Sequence, residues 1–361
     1  MRILVLGGTA FLSAEIARQA VEAGHDVTCL ARGSSTNPPD GVTWVRSDRA
    51  AGATAFAEIN GRWDEVVDVS RDPVQARVAL DVLGPFTAHW TFVSSCSVYA
   101  DHSIPDAGEN AALLEPLPEG QSGTPETYGE SKSAIEQMTV AAVGEKAHIV
   151  RAGLIGGPGD GTDRYGYWPA RFAANMDTVL VPGIPDDATQ IIDVRDLAAW
   201  ILQSAEEGLT GIYNALGEVV RFEDYIAESQ RAVGTPAGDG ISARDRYSAR
   251  DRNSAKDRIS AKDRAAQDVI RPDEAWLVEH GVEYWSGPDS LPLWLPAGHD
   301  GFQARSNRAA RERGMVLRPW QETLAATLED ERARGLDRDR KAGLSRETEQ
   351  RLVALWQLEQ R

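Results

Sequence analysis

Residues 1–8 read MRILVLGG, residues 9–24 read TAFLSAEIARQAVEAG and residues 25–30 read HDVTCL. The first is a short apolar run, rich in branched residues, that breaks at glycine; it predicts a strand buried on both faces. The second sets Phe11, Leu12, Ile16, Ala20 and Val21 on one side and stops at Gly24, the pattern of a helix with a glycine terminator. The third is another strand. A strand, glycine turn, helix and strand in this order form the βαβ unit of dinucleotide-binding folds. The expected fold class is therefore α/β, a Rossmann doubly wound parallel sheet.

Further along, YGESK at 128–132 puts a phenol and an ammonium one helical turn apart, on the same helix face. A phenol normally titrates near ~10, and a neighbouring cation favours its ionised form, which moves Tyr128 toward a useful general acid or base. With eight Tyr and five Lys in 361 residues, chance predicts roughly 0.1 such pairs. Lysine is rare here beside arginine, and an ammonium point charge does chemistry that a planar guanidinium does not.

These segments give the chain a resemblance to extended or atypical short-chain dehydrogenases/reductases of the NAD(P)-dependent epimerase/dehydratase type. The family's TGxxGxxG turn aligns with LGGTAFLS at 6–13, and its serine-bearing strand end with SSCSVYA at 94–100. YxxxK aligns with Tyr128 and Lys132, RPxxIYGP with RAGLIGGP at 151–158, and xxIHVxD with QIIDVRD at 190–196. The resemblance spans roughly residues 1–235. It implies a catalytic set of Ser95, Tyr128 and Lys132. Tyr128 would exchange a proton with a substrate hydroxyl or carbonyl, Lys132 would bind the nicotinamide ribose, and Ser95 would orient the substrate oxygen. It further implies a cofactor site of Gly7, Thr9, Ala10, Phe11, Leu12, Arg32, Asp48, Tyr128 and Lys132.

Departures from the family pattern bear on that site. Of three fingerprint glycines only Gly7 remains, with Ala10 and Ser13 in the other places. The second glycine normally lets backbone approach the pyrophosphate and the third lets helix and strand pack closely. The second strand ends at Ala31-Arg32, with no carboxylate for a ribose 2′-hydroxyl; this favours NADP, with NAD left open. Arg32 also reads as an ordinary solvent-facing residue, and Asp48 as a turn aspartate. The segment RYGYWPAR at 164–171 offers Arg164, Tyr165, Tyr167 and Trp168, with Ser97, as substrate contacts. Packing of the aromatics inside a smaller lobe is the competing reading.

Length and composition frame these readings. At 361 residues with a hydrophobic fraction of 42% there is room for a large core and an added lobe. Boundaries are expected at 1–160 for the nucleotide-binding domain, with segments near 190–215 returning to it. A mixed α/β C-terminal substrate lobe follows at 161–342, then an amphipathic helix at 343–361 that docks on its own chain or on a second subunit. A net charge of −17 argues against nucleic acid and membrane as partners, and the family resemblance implies a small-molecule substrate. The absence of a long apolar run and two strand-borne cysteines, Cys29 and Cys96, predict a reduced cytoplasmic protein. Six histidines without ligand spacing suggest no metal. One segment stands apart: SARDRY, SARDRN, SAKDRI and SAKDRA at 242–265 repeat a unit of two cations and one aspartate, +4 in all. It reads as a solvated insertion within 240–266.

Two functions follow. The first is an NADP(H)-dependent oxidoreductase, epimerase or dehydratase acting on a hydroxyl or carbonyl of a polar metabolite, with a sugar nucleotide among the candidates. The second is a non-catalytic cofactor-sensing or RNA-associated member of the same family, with the basic repeat as its contact surface. The resemblance also leaves a homodimer open.

Overall fold

The computed structural model describes residues 1–34, 36–174, 177–233 and 267–361; the repeat at 242–265 lies outside them. The described chain forms two compact units. The first is Met1–Ile155, Gln190–Glu218 and Gly298–Leu317, and the second is Gly156–Thr189, Val219–Ala297 and Arg318–Arg361.

In the first unit, seven strands make one sheet: β1 Arg2–Leu6, β2 Asp26–Ala31, β3 Thr43–Arg46, β4 Trp63–Asp68, β5 Thr87–Ser95, β6 Ala147–Ala152 and β7 Gly211–Ala215. Their spatial order is β7-β6-β5-β4-β1-β2-β3, and every pairing is parallel. The order reverses between β1 and β4, the position at which open α/β sheets bind ligands beyond their carboxyl edge. Helices α1 Phe11–Glu22, α2 Pro73–Leu83, α3 Tyr128–Val143 and α4 Val194–Glu207 cover the sheet.

Strand alternation explains the layering. Ile3 and Val5 of β1 join Val27, Cys29, Val67, Val93 and Val150 on one face, against Ile16 and Ala20 of α1 and Leu197 and Ile201 of α4. Leu4 and Leu6 join Leu30, Val66, Phe92 and Ile149 on the other face, against Ala76 and Leu80 of α2 and Ile135 of α3. Both faces are apolar, so the strands read as continuous hydrophobic runs.

The turn after β1 is where backbone geometry is most demanding. Gly8 has φ +92°, and a Cβ there would lie 2.3 Å from Cys29 Sγ and 2.8 Å from Cys29 Cβ. Helix α1 starts at Phe11 rather than Thr9, because Ala10 is still extended at φ −143°. Ser13, in the third fingerprint place, is buried and donates its hydroxyl to the Ala10 carbonyl at 2.8 Å.

The second unit has its own helical core. Helix Tyr167–Ala174 sets Trp168 edge-on to Phe222 of helix Phe222–Ala232. Tyr225 stacks on Tyr165 and leans on Trp320, the first residue of helix Trp320–Arg334. The last helix, Arg346–Glu359, is capped by Ser345, whose hydroxyl accepts from Thr348 N at 3.0 Å. It docks on its own unit through buried Glu349, which accepts from Arg171 Nε at 2.5 Å and from Leu180 N at 3.1 Å. Among the described residues no helix is long and apolar enough to cross a membrane.

The Gly8–Cys29 contact yields a graded expectation. Gly8→Ala should lower stability by about 1–3 kcal/mol through overpacking and positive-φ strain. Adding Cys29→Ala should recover only part, because the positive-φ strain survives and the Cβ of residue 29, 2.8 Å away, stays in place. Denaturant unfolding of the wild type, single and double variants measures both parts; full recovery in the double variant would refute the strain contribution.

Candidate active site

Three structural features meet at the carboxyl edge of the sheet in the first unit. The first is the start of α1. It follows the turn Gly7–Ala10 after β1, and among the described residues it has no side-chain cap and carries no acidic residue in its first turn. The Phe11 and Leu12 N–H groups, which lack partners inside the helix, remain available there. A helix N-terminus with open N–H groups favours an anion such as a pyrophosphate. Phe11 itself adopts φ +37°, unusual for a bulky side chain, so strain is held at this turn. The loop after β2 closes on the same turn, where the Thr36 hydroxyl donates to the Thr9 carbonyl.

The second feature is the Ser95 turn. Ser95 ends β5 and caps the single turn Cys96–Val98, accepting from Ser97 N at 3.2 Å and donating to Ser97 Oγ at 3.1 Å. Both serines are half-buried. Cys96 beside them is buried, and burial pushes its thiol up to about 12, a packing residue rather than a nucleophile.

The third is α3. Its first residue is Tyr128, half-buried, with a hydroxyl that makes no hydrogen bond among the described residues. Gly129 brings the helix against the serine turn: a Cβ there would stand 2.4 Å from the Ser97 carbonyl oxygen and 2.5 Å from Leu114 Cδ1. The missing side chain is what allows Tyr128 to begin so near Ser97. One turn on, Lys132 is only 2% exposed. Its ammonium donates to the Ser70 carbonyl at 2.5 Å and the Val93 carbonyl at 2.8 Å, at the ends of β4 and β5. Its Nζ lies 4.6 Å from the centre of the Phe92 ring and 5.9 Å from that of Tyr128. Burial pushes Lys132 down to about 7, with the Asp68 field working in the opposite direction.

The buried face of α3 carries Lys132, Glu136 and Thr139, a polar face that needs partners. Glu136 accepts from Ser94 Oγ at 2.5 Å and takes both Arg151 Nη2 at 2.7 Å and Arg151 Nε at 3.0 Å. Arg151 also reaches the Tyr99 hydroxyl at 3.0 Å, and Tyr99 donates to Asn214 at 2.6 Å. This chain ties α3 to β5, β6 and β7. None of it figured among the expected site residues, although Glu136 stands four places after Lys132 and so shares its face.

The remaining expected residues have defined places. Asp48 caps the turn Arg49–Phe56 through Ala50 N at 2.9 Å, and Arg32 approaches it with Nη1 4.0 Å from Asp48 Oδ2, both side chains largely exposed. In the second unit, Tyr165, Tyr167 and Trp168 are buried. Trp168 Nε1 donates to the Pro292 carbonyl at 2.8 Å, and Tyr167 meets the Trp168 ring edge-on at 4.9 Å. Arg164 is half-buried, with its guanidinium 5.1 Å from the Trp285 ring centre. The first unit's turn, Lys132 and Tyr128 suit a dinucleotide: open N–H groups, a glycine where no Cβ fits, and a cation beside a phenol.

Residues 3–215 match the model of the NAD dependent epimerase/dehydratase family. No curated protein matches the chain. Solved structures share its fold. One is an NAD dependent NDP-hexosamine 5,6-dehydratase involved in tunicamycin biosynthesis, with a TM-score of 0.63 and 18% identity, covering 93% of this chain and 99% of its own. A second is the Bordetella bronchiseptica enzyme WbmG in complex with NAD and UDP, with a TM-score of 0.62, 14% identity and coverages of 93% and 96%. A third is a Thermus thermophilus UDP-glucose 4-epimerase in complex with NAD, at 0.56, 18%, 92% and 99%.

Lys132 generates a pH prediction. Between about 7 and its ordinary value of 10.5, the unfolded chain holds a proton on Lys132 that the folded chain has released. Stability relative to Lys132→Met should therefore rise with pH across that window, by up to ~1.4 kcal/mol per pH unit, and be flat below it. Urea unfolding of both proteins without cofactor from pH 6 to pH 10 measures this; a pH-independent difference would contradict it.

Proposed function

The chain belongs to the NAD dependent epimerase/dehydratase family, and from that premise we propose that it is an enzyme working on a hydroxyl or carbonyl of a polar metabolite, a sugar nucleotide, with NADP as its cofactor. The observation that carries this reading is the Lys132 ammonium, buried beside Tyr128 at the sheet edge that also holds the open N-terminus of α1.

When bound, the nicotinamide takes or gives the hydride of the reaction. The phosphates are assigned to the Phe11 and Leu12 N–H groups and the close backbone of Gly7 and Gly8. Tyr128, whose hydroxyl has no partner among the described residues, takes the proton as a substrate hydroxyl becomes a carbonyl and returns it in the reverse direction. Lys132 would set its Nζ near the phenol and donate to the ribose, and the two carbonyls that anchor it fix its direction. Ser95 turns its proton from Ser97 Oγ to the substrate oxygen. Ser97, half-buried in the same turn, is assigned to the substrate.

NADP is proposed over NAD because Ala31 removes the carboxylate that would repel a 2′-phosphate, and Arg32, with 65% of its side chain exposed, can turn to meet it. Asp48 is assigned to the adenine.

Two measurements test this. Tyr128→Phe should cut turnover of a nucleotide-sugar panel by roughly 100-fold or more while NADPH binding, read by its fluorescence, persists; unchanged turnover would remove Tyr128 from the chemistry. Arg32→Glu should weaken NADPH binding by about tenfold or more and leave NADH nearly unaffected, since one charge-assisted pair is at stake. Equal losses for both nucleotides would overturn the NADP assignment.

A further inference from the structure

Resting on the reading of Lys132 as a ribose and phenol partner, the geometry points to Asp68, locked by Arg49, as the positioning residue that sets both the place and the charge of the Lys132 ammonium. Asp68 is the last residue of β4 and is 1% exposed. Its Oδ1 accepts from Ser70 N at 3.0 Å and from Ser70 Oγ at 2.5 Å, so the carboxylate shapes the turn that presents the Ser70 carbonyl. That carbonyl is the shorter of the two anchors of Lys132. Arg49 closes the arrangement from the other side. Its Nη1 donates to Asp68 Oδ1 at 2.9 Å and to Ser70 Oγ at 2.5 Å, and its Nη2 to the Gln75 carbonyl at 2.9 Å. The Arg49 side chain is 11% exposed, so neither charge of the pair is strongly screened by water.

Without this network the Ser70 carbonyl has only its own chain to hold it, and a buried ammonium that loses an anchor is costly. The charges acting on Lys132 come from three places. Asp68 on β4 and Glu136 on α3 favour the ammonium, and Arg71 in the loop after β4 opposes it. Asp68 is the stronger of the two carboxylates, and the Arg49 guanidinium, 2.9 Å from its Oδ1, offsets part of its charge while holding it in place.

The test reads Lys132 directly in the cofactor-free protein. With five lysines in the chain, 13Cε-lysine NMR gives few signals, and Lys132→Met assigns the one required. Asp68→Asn should lower the Lys132 midpoint by on the order of one pH unit. Because this variant leaves Arg49 unpaired, Asp68→Asn with Arg49→Gln serves as the folded control, checked by circular dichroism; it also removes the Arg49 cation, so its lowering should be smaller. NADPH affinity should fall several-fold in both. An unmoved midpoint in folded Asp68→Asn, or a raised one in the folded double variant, overturns the inference. A lowered midpoint with unchanged NADPH affinity keeps the positioning role and instead refutes Lys132 as a ribose partner, so the two failures are distinguishable.

Discussion

A buried ammonium is the constraint around which the first unit is arranged. Lys132 is removed from water at the end of the sheet, and an isolated charge in such a place is expensive. It is tolerated because two strand-end carbonyls accept its protons and because carboxylates on β4 and α3 supply compensating charge. Each of these requires the sheet edge to be correct: β4 and β5 must end in register so that Ser70 and Val93 converge, and α3 must lie close enough to deliver the side chain. Tyr128 then inherits its position from Lys132, one turn away on the same helix.

Closeness of α3 is itself purchased by small residues and buried polarity. Gly129 leaves the gap that the Ser97 carbonyl fills. The Glu136 carboxylate, with Ser94 on one oxygen and Arg151 on both, anchors the next turn to the strands. Ion pairs this deeply buried contribute little net stability over apolar packing, but losing one partner costs several kcal/mol. They tie α3 to β5 and β6 at defined points.

The β1–α1–β2 unit was legible because its signals are local. Branched apolar residues set the strands, the 3.6 period sets α1, and Gly24 stops it. Tyr128 and Lys132 were legible for the same reason, four residues apart on one helix. Arg49 and Asp68 were not, since they are separated by 19 residues and meet only through the parallel sheet. Ser70 and Lys132 are 62 apart. Glu136 carried a usable signal in its spacing from Lys132, though nothing local names Arg151 as its partner. At 164–168 the sequence supports surface stacking and interior packing alike. Aromatic content does not distinguish the two; burial of Tyr165, Tyr167 and Trp168 does.

The degenerate glycine fingerprint shows why counting glycines is a poor measure of a nucleotide turn. What the turn must supply is free backbone N–H groups and room, and only some positions need glycine for that. Ala10 is extended, a conformation open to any residue, and the N–H groups after it stay uncapped. Ser13 is absorbed by donating to the Ala10 carbonyl, and it lies 3.1 Å from where a Gly7 Cβ would be, so the space it takes is space Gly7 leaves free. Gly8, which the fingerprint does not specify, is the position where both φ and the Cys29 contact exclude a side chain. The glycine requirement has thus moved along the turn, and the uncapped start of α1 remains with a sequence that matches the pattern at one position in three.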